Sequence, residues 1–353
     1  MPSPTKWVCL PVVFLVAFWT RLPAMGQGQG SPVDSPSMVP AQSASRDPDA
    51  VQSPAQSAPK NGGDSLTLNW NDVEQSIWAN AKTYVDLPVP DLVGAVPELK
   101  ALAPETSQEG LASLLGHIGQ SCVDLFRHTP NLASHEVQIT QQRGVNRISQ
   151  GAFAPELTHS ERQEFGYLLL FRATQDVTEL REYRTDKHGR PIVSASSQAG
   201  QMTVGFVSEW LRLLPGNQPE LRFRYLGRED MDGHKTIVIA FAQIPGHVKY
   251  PARFLFDRTL ITALFQGIVW VDASDFRLVR MREDLLAPRP DLHLRKMTTT
   301  IRFAEAQIPK AATALWLPKE VAIAWEYKGM AVEQRPLYSD FRLYEVKSKI
   351  IPQ

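Results

Sequence analysis

After Asn131 the chain is a succession of short apolar or alternating runs divided by polar turns, and this pattern constrains the fold more than any other feature. Runs at 223–229 and 236–243 flank Asp232-Gly233, a pair suited to the positive φ values of a tight hairpin. About ten such runs follow one another with hairpin-length connections. The sequence therefore predicts an α+β protein, mainly antiparallel β, whose large sheet curves strongly into a half-barrel.

Three apolar stripes with helical spacing predict helices packed on the concave face of this sheet. They lie at 70–85, at 111–126 and at 204–214, the last closed by Pro215-Gly216. Cys122 falls on the second stripe, which favours a buried small hydrophobe over a reactive thiol. The run 268–271 is apolar on both sides, so we expect it at the centre of the sheet, under a cover that a helix in the concavity would provide.

Residues 1–26 are typical of a cleavable secretory signal peptide. Lys6 supplies the positive charge, and the apolar run 7–19 is too short to anchor the chain in a bilayer. Ala24 and Gly26 are the small residues that precede a cleavage site, whereas Cys9 lies inside the apolar run and makes no lipobox. These features predict an exported protein, periplasmic or secreted, without a lipid anchor and with no transmembrane segment after signal cleavage.

The remaining chain divides by composition into three parts. Residues 27–64 form a Ser/Pro/Gln-rich stretch that predicts a disordered linker, since it cannot bury enough apolar surface to order itself. Residues 65–130 form a helical region, and residues 131–353 an antiparallel β domain with the inserted helix at 204–214. Cleavage leaves Cys122 as the single cysteine, so no intramolecular disulfide can form.

The charge balance gives no support to nucleic-acid binding. Signal cleavage removes Lys6 and Arg21 and no acid, which leaves 35 basic residues against 37 acidic ones. Arginines nevertheless cluster, with Arg280 and Arg282 on one strand face, and the sequence favours a solvated outer face for them. Glu283 and Asp284 are likewise expected to be solvated acids at a strand end.

No catalytic or metal-binding motif is recognisable. The eight histidines form no HExxH pair and no Cys/His zinc spacing, and the chain has neither a G-x-S-x-G elbow nor a Walker lysine loop. Asp272 and Asp275 could in principle act as an acid–base pair, but they lie in a turn, where solvated acids are normal. We therefore predict a protein that is not an enzyme, with no cofactor, no catalytic residue and no metal site.

The segment GIVWVDASDFRLVRM, residues 267–281, is an apolar strand, an acidic turn and a return strand. It resembles the recurrent hairpin of the outer-membrane lipoprotein carriers and of their relatives among the anti-sigma-factor regulators. The regions 122–131 and 181–191 also resemble an uncharacterised group of secreted bacterial proteins with this layout. The resemblance implies an incomplete, strongly curved sheet whose concave apolar surface holds a lipoprotein acyl chain.

The sequence thus predicts an envelope factor that binds an apolar ligand, either a lipid or a lipoprotein acyl chain. The residues predicted to line its interior are Phe206, Trp210, Trp270, Ile323 and Trp325. The same side chains would equally serve a filled core, in which case the chain is a structural module or binds another envelope protein. A hydrolase without a recognisable motif is the third alternative.

Overall fold

The computed structural model describes residues 13–14, 72–128, 131–147, 153–173, 178–190, 192, 209–249, 251–256, 259–309 and 314–343. Nearly all of the predicted signal peptide, the whole of the predicted linker and Phe206 lie outside these residues. The described part of the predicted helix at 204–214 contains a 3-10 helix, Trp210–Leu213.

The α-helices of the described part are α1 (Asp72–Ala79), α2 (Val89–Ala95) and α3 (Leu111–His128), and the further 3-10 helices are Pro97–Ala101, Gln218–Glu220 and Pro290–Leu292. The strands are β1 (Val13–Phe14), β2 (Ala103–Pro104), β3 (Leu132–Arg147), β4 (Phe153–Ala173), β5 (Thr178–Thr185), β6 (Leu221–Met231), β7 (His234–Gln243), β8 (Ala252–Phe256), β9 (Thr259–Ala263), β10 (Phe265–Asp272), β11 (Leu278–Leu285), β12 (Leu294–Ala306), β13 (Leu315–Tyr327) and β14 (Met330–Leu343).

Eleven of these strands form one antiparallel sheet in the order β2-β6-β7-β10-β11-β12-β13-β14-β3-β4-β5. A small second sheet has the order β1-β8-β9. Most neighbours in the large sheet are consecutive in the chain, because hairpin turns connect them. The prediction of a mainly antiparallel sheet with helices is confirmed.

Left-handed turn residues close the hairpins. Asp232 and Gly233 have φ values of 50° and 85° and join β6 to β7, as the sequence predicts. Lys328 and Gly329, with φ values of 48° and 77°, turn β13 into β14. The last described strand therefore begins at Met330, although a proline and several charges in its first half obscure a strand signal in the sequence.

One face of the large sheet, here called the inner face, wraps around α3. Ile118 and Cys122 of this helix belong to a single apolar cluster with Tyr225 of β6 and with Leu169 of β4, near the opposite end of the strand order. Strands so far apart in the sheet meet around one helix because the sheet curves. The result is the predicted half-barrel, open between β2 and β5 in the described chain.

Helices also cover the opposite, outer face, which the sequence did not predict. Side chains of α2 and of the 3-10 helix Pro97–Ala101 pack on Ile268 and Trp270 of β10, and Trp78 of α1 packs on Leu264 and Leu286. All eight positions of β10 are buried between these two covers, and its predicted central place in the sheet is confirmed.

Helix α1 is shorter than the predicted helix at 70–85. It ends at Ala79, where the side-chain amide of Asn80 donates to the carbonyl of Ser76 at 2.9 Å. Beyond it, the Tyr84 amide donates to Gln266 at 2.7 Å and the Tyr84 hydroxyl to Asp284 at 3.0 Å. These bonds to the sheet replace the helical continuation.

Ion pairs attach this helical region to the outer face. Glu98 pairs with Arg282 at 2.8 Å, and Glu74 pairs with Arg289 at 3.3 Å. The expected solvated face is therefore wrong at Arg282 and Asp284, which are 8% and 7% exposed, because the preceding helical segment covers them.

Candidate ligand cavities

A cavity of about 500 Å³ lies on the inner side of the half-barrel, between α3 and the start of β13. We call it the helix cavity. It is bounded by three groups of residues: His117, Gln120, Ser121, Cys122, Asp124 and Leu125 of α3; Asp275, Phe276, Arg277 and Leu278 around the β10–β11 turn; and Ala314, Leu315 and Trp316.

The apolar residues of α3 form the wall that separates the helix cavity from the core. Ile118 and Cys122 are 1% and 2% exposed and face the core, while Gln120 and Asp124 point away from it and hydrogen-bond to each other at 2.9 Å. Burial raises the pKa of the Cys122 thiol to about 12, so it stays protonated and acts as an apolar wall. The prediction of a buried cysteine is confirmed.

Aromatic side chains form the opposite wall. The Trp316 indole donates to the carbonyl of Leu278 at 2.6 Å, which fixes the ring. The Arg277 guanidinium lies 4.4 Å from the centre of the same indole and pairs with Asp275 at 2.6 Å. His117 stacks on Phe276 with ring centres 4.6 Å apart. Apolar surface thus lies at the bottom of the cavity, and charged groups stand at its rim.

Behind Trp316 lies a His–Asp pair. The Nδ1 atom of His234 is 2.7 Å from Asp272 Oδ2, and the imidazole meets the Trp316 ring edge-on at 5.6 Å. Burial alone would raise the pKa of Asp272, but hydrogen bonds from Ser274 and His234 lower it to about 2. Asp272 is therefore a buried, ionised acceptor that fixes the turn, unlike the solvated acid expected from sequence. Within the described residues, no group of three His, Cys, Asp or Glu side chains could hold a metal.

A second cavity, of about 510 Å³, lies against the ends of β12, β13 and β14, and we call it the strand cavity. Its lining comes from the ends of three strands and from the residues after β12, namely Ala304, Glu305, Ala306, Gln307, Pro309, Leu317, Lys319, Tyr338, Ser339, Asp340, Phe341 and Arg342.

The four described residues among those predicted to line the interior line neither of these two cavities. Trp210, Ile323 and Trp325 belong to the same inner-face cluster around α3, where they are 2%, 1% and 5% exposed. Trp270 lies on the outer face, where its indole donates to Glu229 at 3.0 Å. Three of the four described residues are thus brought together, and the fourth is separated from them by the sheet.

Sequence reasoning missed the cavity residues themselves. Phe276 and Trp316 are aromatic residues beside a turn and at the start of a strand, and this placement was the available signal. It also missed the buried charges of the inner face. Arg184 pairs with Glu136 at 2.6 Å, and Arg212 pairs with Glu283 at 2.8 Å. Glu283 is 2% exposed, which corrects its expected place as a solvated acid.

Neither a protein-family model nor a curated protein matches the chain. Three solved structures resemble it at low identity. An outer membrane lipoprotein-sorting protein domain from Vibrio parahaemolyticus is 13% identical with a TM-score of 0.35, and the match covers 67% of this chain and 94% of that one. A LolA superfamily protein from Nitrosomonas europaea is 13% identical with a TM-score of 0.32, covering 66% and 94%. A DUF1329 family protein from Desulfovibrio piger is 14% identical with a TM-score of 0.30, covering 66% and 95%.

The first two of these proteins fall in the class that the segment 267–281 resembles. No helix in the described ranges has both the length and the apolar character that crossing a bilayer would require.

Proposed function

We propose that the chain binds an apolar ligand, either a lipid or the acyl chain of a lipoprotein, in the helix cavity. The supporting observation is a cavity of about 500 Å³ walled by Leu125, Leu278, Leu315 and Trp316 on the inner side of a curved sheet. Small-molecule sites commonly have volumes of about 300–1,000 Å³. Each methylene transferred from water into such a wall contributes about 0.8 kcal/mol.

The polar rim defines the orientation of the ligand. His117, Asp124 and Arg277 border the same cavity whose floor is apolar. The Arg277 guanidinium is held at the rim by its ion pair with Asp275 and by its contact with the indole of Trp316. Moving it toward the apolar floor would break both contacts. An amphiphile would therefore place its chain against the floor and leave its head at the rim.

We further propose that this role is non-enzymatic and is carried out after export, in the periplasm or outside the cell. The support is the signal-peptide pattern of residues 1–26 and the absence of a recognisable catalytic motif from the sequence. N-terminal sequencing of the mature protein should give a start at Gln27. An intact Met1 or an acylated cysteine would contradict export by this route.

A filled-core module is the second candidate function. It is favoured by the near-complete burial of Trp210, Ile323 and Trp325. The helix α3 and the 3-10 helix Trp210–Leu213 pack against the inner face there and fill the space that a ligand would need. In that case the chain acts through its surface, by contact with another envelope protein.

A fluorescent fatty acid titrated into the mature protein separates the two candidates. Leu125→Trp adds an indole to the wall of the helix cavity, and we expect it to weaken binding at least tenfold. Ala112→Trp adds the same indole to an exposed position of the same helix and should leave the Kd unchanged.

Truncation of a core residue provides the second control. Trp325→Ala should lower the melting temperature while the protein that remains folded binds the fatty acid with an unaltered Kd. No saturable binding by the parent protein, or equal loss in Leu125→Trp and Ala112→Trp, would contradict the ligand-binding proposal and favour the filled-core module.

A further inference from the structure

The described helices cover only part of the outer face of the large sheet. The buried clusters under α1, α2 and the 3-10 helix Pro97–Ala101 take their strand residues from β6, β7, β10 and β11. A second group of outward-facing residues belongs to neither cluster, and we call it the distal face. It consists of Ala133, His135, Val137 and Ile139 of β3, Arg162, Glu164, Leu168 and Leu170 of β4, Arg335 and Leu337 of β14, and Glu320 of β13.

Strand β3 has its polar and apolar side chains on unexpected sides. Its polar residues at alternate positions from Ser134 to Thr140 are buried on the inner face, so Val137 and Ile139 between them face outward. Leu337, which pairs in register with Val137, is 39% exposed. A sheet with one face in water normally has the opposite arrangement, with apolar side chains inward and polar ones outward. The reversal favours a second surface that covers the distal face.

Two adjacent rows of the distal face run across the strands and have opposite charge. In register, the first row is Arg162–Ile139–Arg335, and the second row is Glu164–Val137–Leu337–Glu320. The side chains of Arg162 and Glu164 are 63% and 54% exposed, and those of Arg335 and Glu320 are 56% and 38% exposed. Apolar residues therefore lie between two cations in one row and between two acids in the next.

We propose that the distal face is an interface between two copies of this chain, packed face to face about a two-fold axis that runs along the two rows, midway between them. This symmetry reverses the direction along the strands and keeps the position across them, so each row meets the other row of the second copy. Arg162 then lies opposite Glu164 of the second copy, and Ile139 lies opposite Val137 of the second copy. The strands of the two sheets stay aligned, as in a β-sandwich.

The charge pattern favours a second copy over other occupants. The two rows hold two arginines and two glutamates, so the face is complementary to itself when it is turned over. An anionic lipid surface would instead be attracted by an excess of cations. Within one copy, Arg162 and Glu164 are 2.9 Å apart. An exposed pair of this kind contributes little to stability, so both side chains remain able to pair across an interface.

The first test measures the oligomeric state of the mature protein by sedimentation velocity, which should show a dimer whose population grows with concentration. Leu337→Glu places a charge in the apolar part of the interface, and we expect it to raise the Kd of the dimer at least tenfold. Met330→Glu is the matched control, since Met330 is also a large apolar residue, 37% exposed, but lies at the β13–β14 turn away from both rows. It should leave the Kd unchanged. Melting temperatures of both variants verify that they fold.

A charge swap tests the symmetry itself. Arg162→Glu would place two carboxylates opposite each other at each end of the interface, and we expect the Kd of the dimer to rise at least tenfold. The double variant Arg162→Glu/Glu164→Arg restores an opposite charge at both positions and should recover the parent Kd. Both side chains are more than half exposed, so neither variant is expected to impair the fold.

Three results would each overturn the proposal: a chain that stays monomeric at every concentration, equal Kd values for Leu337→Glu and Met330→Glu, or a double variant that dimerises no better than Arg162→Glu. A monomer that binds phosphatidylglycerol vesicles, and loses this binding in Leu337→Glu, would assign the distal face to a lipid surface instead. None of these measurements uses a fatty acid, and no residue of the distal face lines the helix cavity, so they are independent of ligand binding there.

Discussion

The inner face of the sheet has two halves that are built from different chemistry. The central half, on β7, β10, β11, β12 and β13, presents apolar side chains such as Phe241, Val269 and Ile301. The far half, on β14, β3, β4 and β5, buries polar side chains beside its apolar ones, chiefly at alternate positions of β3. In β3 these are Ser134, Glu136, Gln138 and Thr140, which are 6%, 0%, 2% and 9% exposed, and Gln334 of β14 is 1% exposed.

The difference shows that one curved sheet can be stabilised in two ways. Apolar side chains contribute through area and packing, without a specific partner. Buried polar groups must instead be paired, since an unpaired charge or donor loses its hydration without compensation. In the far half the key pair is Glu136 with Arg184, joined by two hydrogen bonds of 2.6 Å.

The largest expected effect follows from breaking this pair. Arg184→Met leaves Glu136, at 0% exposure, without its counter-charge, and we expect a loss of about 3–5 kcal/mol in the free energy of unfolding. Urea denaturation measures the loss. The double variant Glu136→Leu/Arg184→Met removes both charges, and it should be clearly more stable than the single variant. A double variant as unstable as the single one would show that the far half does not depend on charge pairing.

The central half should respond to volume instead of pairing. We expect Ile323→Val to cost about 0.5–1.5 kcal/mol and Ile323→Ala about 2–5 kcal/mol, since Ile323 is 1% exposed on the inner face. Graded denaturation midpoints at unchanged m-values would agree with this expectation. Equal losses for the two substitutions would contradict it, because the loss should grow with the volume of side chain that is removed.

A feature of this architecture could be predicted from the sequence when the residues that carry its pattern are adjacent in the chain. The Asp232-Gly233 hairpin and the doubly buried run 268–271 are local, because a few adjacent residues carry the pattern. The face on which Trp270 lies is not local. Period-two alternation groups Trp270 with Ile268, but both faces of β10 are apolar, so the pattern cannot distinguish inner from outer.

The buried charges had no local signal at all. Arg184 and Glu136 are 48 residues apart in the chain, and they meet because β4 pairs with both β3 and β5. The helix cavity is equally non-local, since it joins α3 to Trp316 across most of the β domain. Sequence patterns predicted most of the strands and helix α3, whereas the helix cavity depends on how the sheet curves.

A charged cluster within the described part of the central half extends the comparison to pH. Arg212 donates to Glu283 at 2.8 Å and to Glu209 at 3.3 Å, so two carboxylates share one guanidinium. Burial raises the pKa of Glu283 well above its ordinary value, and Glu209 raises it further, against the opposing charge of Arg212. Unfolded, the same carboxyl returns to a pKa of about 4.3.

The folded protein therefore holds one more proton than the unfolded chain at any pH between these two values. Linkage then requires the free energy of unfolding to fall as the pH rises from about 5 toward the raised pKa of the folded state, by at most about 1.4 kcal/mol per pH unit from this group. Glu283→Gln removes the titrating group and should flatten this slope, measured as the melting temperature across that range. Glu326→Gln, at an exposed position of β13, should retain it. If Glu283→Gln melts with the same pH dependence as the parent protein, Glu283 is ionised in the fold, and the central half tolerates a buried charge as the far half does.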